Sequence, residues 1–184
     1  MEAKEIFEAV TAKLGDAVSD FQAAVPKDGP RDPFFRVAPE KTLELMQFLR
    51  DDPSLRFDFL QNLTAVDWPK QNAIEVVYHL YSYALRHEIA VKTQVPRDNP
   101  HVPSVTSLWK IADWYEREQF DLFGVVFDGH PDLKRLLLPE DWIGHPMRKD
   151  YTEQKEYRGM STSRTSPLDL LVIHDKAHKT DVMQ

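Results

Sequence analysis

The stretch NAIEVVYHLYSYALRHEIAVKTQV, residues 72–95, decides the fold. Valine, isoleucine and tyrosine, which fit a pleated surface, dominate it, and Ala84-Leu85-Arg86 divides it into two runs. The pattern predicts a strand pair with a short connection. In the second run Ile89, Val91, Thr93 and Val95 alternate with His87-Glu88, Lys92 and Gln94. One face is therefore expected to be buried and the other wet.

Upstream, EAKEIFEAVTAKL places Ile6, Phe7, Val10 and Leu14 at helical spacing, with Gly15-Asp16 as its stop. AVSDFQAAV and FFRV read as strands, and PKDGPRDP (26–33) between them reads as a turn. PEKTLELMQFLRDD is a second helix, with Pro39 near its start and Leu43, Met46 and Leu49 on one side. RFDFLQNLTAVDW reads as one helical turn followed by a strand. Downstream, PRDNPHVP has three prolines in eight residues and is expected to be a loop. SVTSLWKIADWYEREQFDLFG is a third helix, with a stripe of Leu108, Ile111, Ala112 and Tyr115 and an i,i+4 pair of Asp113 and Arg117. Helices interleave with hairpin-connected strands. That order predicts an α+β fold, an antiparallel or mixed sheet packed with helices, in a core domain over 1–124. From about residue 125 the periodicity fades, and 125–184 reads as an extended arm that must pack on something or be mobile. LLVIHDKAHKTDVMQ, at its end, fits an added strand, a short helix or a frayed end.

Composition narrows the chemistry. The chain has 184 residues, 42% hydrophobic and 29% charged, with a net charge of −7. Residues 1–144 carry −8 and the remainder +1. An acidic body is a poor partner for phosphate backbones, so nucleic acid is not expected. Without cysteine the chain alone cannot hold an iron–sulfur cluster or a thiolate-ligated zinc. No apolar run approaches the roughly 20 residues of a membrane span. The acidic, amphipathic start is unlike a secretory signal. Six glycines form no G-x-G-x-x-G or P-loop, and there is no G-x-S-x-G elbow around Ser161, Ser163 or Ser166.

The segment DGHPDLKRLLLPEDWIGHPMRKDY (128–151) repeats Gly-His-Pro at 129–131 and 144–146. His130, Asp132, Glu140, Asp141 and His145 are all types that ligate zinc or iron, but their spacing matches no compact metal motif. His87-Glu88 is followed by IAVK, which is not H-E-x-x-H. The other reading is a pair of bends, since glycine accepts positive φ and a residue before proline is pushed to extended backbone. Glu116, Arg117, Glu118 and Asp121 form a charged cluster on the third helix. It reads as a solvated face, or as a joint in which Arg117 or Arg135 forks onto a carboxylate and locks the helix to the arm. Leu136, Leu137, Leu138 and Trp142 on an irregular segment favour a folded or interface setting.

Residues 116–151, EREQFDLFGVVFDGHPDLKRLLLPEDWIGHPMRKDY, resemble the signature of the C subunit of proton-pumping NADH:quinone oxidoreductase, respiratory complex I. The resemblance rests on Glu116-Arg117-Glu118, Asp121-Leu122-Phe123-Gly124, Gly129-His130-Pro131, Lys134-Arg135, Pro139-Glu140-Asp141-Trp142 and Gly144-His145-Pro146. LTAVDW and the hairpin add to it, and it covers about residues 35–152. It implies a cofactor-free structural subunit of the peripheral arm, supporting quinone reduction by NADH coupled to proton translocation. FMN, iron–sulfur clusters and quinone would sit on other subunits. The implied partners are the quinone-pocket subunit and the subunit with the terminal iron–sulfur cluster, and the implied place is the cytoplasmic face of the bacterial inner membrane. A fused quinone-pocket subunit is not expected in a chain of this length. The resemblance gives this chain no catalytic residue. Glu116, Arg117, Glu118, Asp121, His130, Lys134, Arg135, Glu140, Asp141, Trp142, His145 and Arg148 are expected at the joint and the subunit interface. Three alternatives stay open: a related complex with another donor or acceptor (ferredoxin, plastoquinone or a hydrogenase module), a metal-dependent hydrolase using His130, Asp132, Asp141 and His145, and a small regulatory binding domain.

Overall fold

The structure, a computed structural model, describes residues 1–24 and 32–162. Most of the 26–33 turn, Ser163, Ser166 and the LLVIHDKAHKTDVMQ tail lie outside them. One compact unit runs Met1–Tyr151 and a second begins at Thr152.

In the first unit, helix α1 (Ala3–Leu14) leads into strand β1 (Val18–Gln22), then β2 (Phe34–Val37), helix α2 (Thr42–Asp51), and strands β3 (Phe59–Trp68), β4 (Ala73–Ser82) and β5 (His87–Pro96). Glu2 and Glu5 form a capping box at the start of α1, and Gly15 ends it with φ +57°. The sheet order is β1-β2-β5-β4-β3, and β5 pairs antiparallel with β4 but parallel with β2. The sheet is therefore mixed, and the fold is α+β. Alternate residues Ile74, Val76, Tyr78 and Leu80 of β4 join Ile6 and Val10 of α1 and Leu45, Met46 and Leu49 of α2 in one core. The register Tyr78↔Val91 sets the β5 stripe Ile89, Val91 and Val95 beside them.

The second face of the sheet is less wet than its alternation predicts. Ala90 is buried and Lys92 and Gln94 are half-buried. Buried Glu75 accepts from Arg36 at 3.0 Å and lies 3.7 Å from Lys92, whose ammonium also sits over the Phe34 ring. His87 lies on the core face with Ile89 and Val91 and meets the Leu55 carbonyl at 2.6 Å.

Three local expectations are corrected. Residues 56–58, before β3, are irregular and not a helical turn, because Arg56 has φ +41° and breaks any helix there. The proline-rich loop contains a short strand, β6 (His101–Pro103), which pairs in parallel with β7 (Val126–Asp128). Pro103 fits because it sits at the end of this short ladder. Helix α3 is Ala112–Phe123, so residues 104–111 are turns outside it.

In the second unit Glu156–Tyr157 (β8) and Met160–Ser161 (β9) form a small hairpin. Arg158 and Gly159 both have positive φ, the backbone a two-residue turn of this kind requires.

Candidate functional site

Helix α3 inverts the usual amphipathic pattern. Its buried side chains are Ala112, Glu116, Gln119, Asp121 and Phe123. The predicted apolar stripe is only partly the buried one: Ala112 is fully buried and Leu108 and Tyr115 pack part-buried against the core, but Ile111 is exposed. The polar side chains face inward because each satisfies backbone groups that no ladder reaches. Glu116 accepts from the Ser104 hydroxyl and the Val105 N–H, both at 2.7 Å, and so fixes the turns before the helix. Burial pushes its carboxyl up to about 7, against the pull of those two hydrogen bonds. Gln119 accepts from the Ala65 N–H of edge strand β3 at 3.0 Å, and the Tyr115 hydroxyl donates to the Gln61 carbonyl.

Asp121 organises the segment after the helix. One carboxylate oxygen accepts from the consecutive N–H groups of Leu136, Leu137 and Leu138 at 3.1, 2.8 and 2.8 Å. The other takes Nη1 of Arg135 at 2.8 Å, while Nη2 of Arg135 reaches the Trp142 carbonyl. Burial works to raise the Asp121 pKa, but the three N–H groups and Arg135 together hold it below the ordinary carboxylate range.

The end of α3 is closed from the same segment. An α-helix leaves its last four carbonyls without helical donors. Here Gly124 N–H meets Phe120, His145 Nδ1 meets Asp121, Met147 N–H meets Leu122, and Arg148 Nε meets Phe123 at 2.6 Å. Arg148 also brings a cation to the negative end of the helix dipole. Gly124 is required twice over. It has φ +74°, and a Cβ there would stand 2.5 Å from His145 Nε2. Because Nδ1 of His145 must donate to a carbonyl, Nε2 carries no proton in the neutral ring. Burial keeps the ring neutral by lowering its pKa.

The other expected residues take distinct places. His130 is fully buried at its side chain and lies 3.1 Å from Asp113 Oδ1, while its Nδ1 accepts from the Asp132 N–H. Asp113 thus faces His130, not Arg117 as the i,i+4 spacing predicts. Arg117 donates to the carbonyls of Lys134 and Arg135 and lies over the Trp114 ring. Neither arginine forks onto a carboxylate: Arg117 reaches from the helix to two carbonyls of the segment, and Arg135 divides its donors between Asp121 on the helix and the Trp142 carbonyl of the segment. Glu118 accepts from Gln119 Nε2, Lys134 pairs with Asp132 at the surface, and Glu140 and Asp141 are exposed. The residues of the hydrolase alternative are not gathered, and among the described residues no group of three or more His, Asp or Glu is placed to hold a metal ion.

The sequence pattern misses the lock at the segment's far end. Arg97 forks onto buried Asp67 with Nε at 2.7 Å and Nη2 at 3.1 Å, and also binds Asp150. The Lys149 N–H donates to Asp67 at 2.8 Å. Burial opposes the ionised form of Asp67, but Arg97 and that N–H prevail and lower its pKa. The only signal is an aspartate inside a strand-like run, LTAVDW, ahead of an arginine in a proline-rich loop.

Fold and site define an α+β domain in which an irregular segment closes the last helix and is pinned back to the sheet. Residues 35–157 match the family described as "Respiratory-chain NADH dehydrogenase, 30 Kd subunit", and the chain belongs to that family. It is 56% identical over 115 residues to the NADH-quinone oxidoreductase C subunit of Roseiflexus castenholzii, covering 62% of this chain and 66% of that one. The match to the corresponding C subunit of Chlorobium phaeobacteroides is 42% identical and covers 84% of this chain and 91% of that one. The aligned part therefore spans just under two thirds of the Roseiflexus protein and most of the Chlorobium protein. Among solved structures, the trypsin-resistant fragment of Nqo5 superposes with TM-score 0.58 at 31% identity, over 72% of this chain and 100% of that one. A chain of the membrane-bound sulfane sulfur reductase, an archaeal respiratory membrane complex, gives TM-score 0.65 at 29% identity, over 81% and 85%.

Proposed function

We propose that this chain is a structural, cofactor-free subunit of the peripheral arm of NADH-quinone oxidoreductase. In this reading it supports the quinone-reducing module while electrons pass from NADH to quinone through other subunits, which carry the FMN, the iron–sulfur clusters and the quinone, with proton translocation coupled to that transfer. Its partners are the quinone-pocket subunit and the terminal iron–sulfur subunit, at the cytoplasmic face of the bacterial inner membrane. No helix among the described residues is long and apolar enough to cross a membrane.

The observation that carries the reading is the surface of the α3 joint. Trp114, Leu137, Ile143 and Met147 are each 53–69% exposed, on a framework that polar contacts hold rigid. Apolar side chains presented this way suit a partner surface. In this reading the arm that begins at residue 125 covers the partner, and Glu116, Asp121, His130, Arg135, His145 and Arg148 shape its part up to residue 148. The test is affinity capture through an N-terminal tag from gently solubilised membranes, with mass spectrometry and an NADH:quinone assay on the eluate. Co-elution of iron–sulfur and quinone-pocket subunits with NADH oxidation is the expected outcome. Elution of the chain alone overturns the reading.

A further inference from the structure

Away from the α3 joint, a cleft opens at the turn end of the β4–β5 hairpin. Two cavities of about 240 and 260 Å³ share Gln61 and Glu88 as walls. Three aromatic rings gather at the second. Phe59 and Tyr83 have centroids 5.3 Å apart, and Tyr81 meets Tyr83 edge-on at 5.1 Å. Phe59 and Tyr83 remain well exposed. The first cavity adds Asp32, and His79 lies 3.8 Å from the Asp32 carboxylate. Among the described residues, no lysine or arginine lines either cavity.

Ring faces are negative, and carboxylates beside them deepen that potential, so the combination attracts a cation. The protein already uses this attraction internally, with Lys92 over Phe34 and Arg117 over Trp114. Among the described residues, no lysine or arginine lies over Phe59, Tyr81 or Tyr83. Each cavity has room for one long side chain and is too small for a nucleotide. An anionic membrane surface would be repelled by Glu88 and Asp32.

We propose that this cleft is a docking site for an arginine- or lysine-bearing segment of a partner protein. The cationic head lies against Tyr81, Tyr83 and Phe59, and Glu88, which walls both cavities, neutralises it. The apolar stem of the same side chain covers the exposed ring edges. This site lies at the opposite end of β3 from the Asp67 anchor, and the Tyr115 hydroxyl of α3 reaches its shared wall at the Gln61 carbonyl.

The test is a nuclear magnetic resonance titration of the purified full chain with a blocked tetra-arginine peptide. Shifts confined to Phe59, Tyr81, Tyr83, Glu88 and their neighbours are expected. Tyr83→Ala should weaken binding about five- to tenfold, in line with a cation–π contact of about 1 kcal/mol, and Glu88→Lys should abolish it. Tyr83 and Glu88 are exposed, so both variants should keep the parent spectrum elsewhere. Absence of shifts overturns the proposal. So do shifts spread over the whole acidic surface and unchanged in Tyr83→Ala. Because the titration needs no other subunit, its failure is separate from a failure of co-purification.

Discussion

The β4–β5 hairpin and the joint between α3 and the segment that follows are both well determined, by opposite means. The hairpin is held by a ten-residue antiparallel register and by apolar side chains whose burial is shared among many neighbours. Such a core gives way gradually, since close-packed contacts are individually weak. The joint has almost no ladder. Asp121 alone satisfies three successive N–H groups, and three segment residues close three carbonyls of one helix end. Each of those contacts lacks a substitute, so the joint should fail abruptly where the hairpin fails by degrees.

Asp121→Ala is the severest way to probe this difference. It leaves Arg135 and three N–H groups without their partner and should lower stability by about 3–5 kcal/mol, read from urea unfolding. Hydrogen exchange should place the loosening at residues 135–142 while β4 and β5 stay protected.

Glu116 probes the same helix through pH. Its folded pKa of about 7 stands above the ordinary 4.5. The folded state therefore binds the proton more tightly between those values. The carboxyl's contribution is fully present below pH 4.5, is lost as pH rises to about 7, and stays lost above it. Glu116→Gln removes the titration. Relative to the parent, the variant should gain about 2–3 kcal/mol of stability between pH 4.5 and 8. A constant difference across that range would show that Glu116 is not buried as described.

Gly124→Ala should cost about 1–3 kcal/mol from the left-handed backbone alone, and displaced His145 should show as a changed imidazole resonance. On the hairpin side, Ile89→Val should cost only about 0.5–1.5 kcal/mol and leave the exchange pattern of the joint untouched. A larger effect there than at Gly124 would reverse the comparison.

The same contrast explains what can be read from the sequence. The hairpin, α1 and α2 announce themselves by period, because burial of side chains is what holds them. FFRV reads as a strand for the same reason. In α3 the period misleads. Besides Ala112 and Phe123, the residues turned inward are Glu116, Gln119 and Asp121, chosen for backbone groups elsewhere in the chain, and hydropathy cannot see that. The parallel β6–β7 pair is hidden by prolines and by the whole of α3, which lies between its strands. Arg97 and Asp67 lie 30 positions apart, so nothing local links them. The doubled Gly-His-Pro reveals the bends but not their use. His145 closes a helix end, and His130 serves Asp113 at its start.

In the proposed function, this joint shapes the chain for assembly and does not take part in electron chemistry. The most direct measurement pairs native-gel quantification of the assembled complex with NADH:quinone turnover per complex in membranes carrying Arg135→Ala. A marked fall in assembled complex, with turnover per complex unchanged, is the expected result. Normal assembly with lost turnover would contradict it.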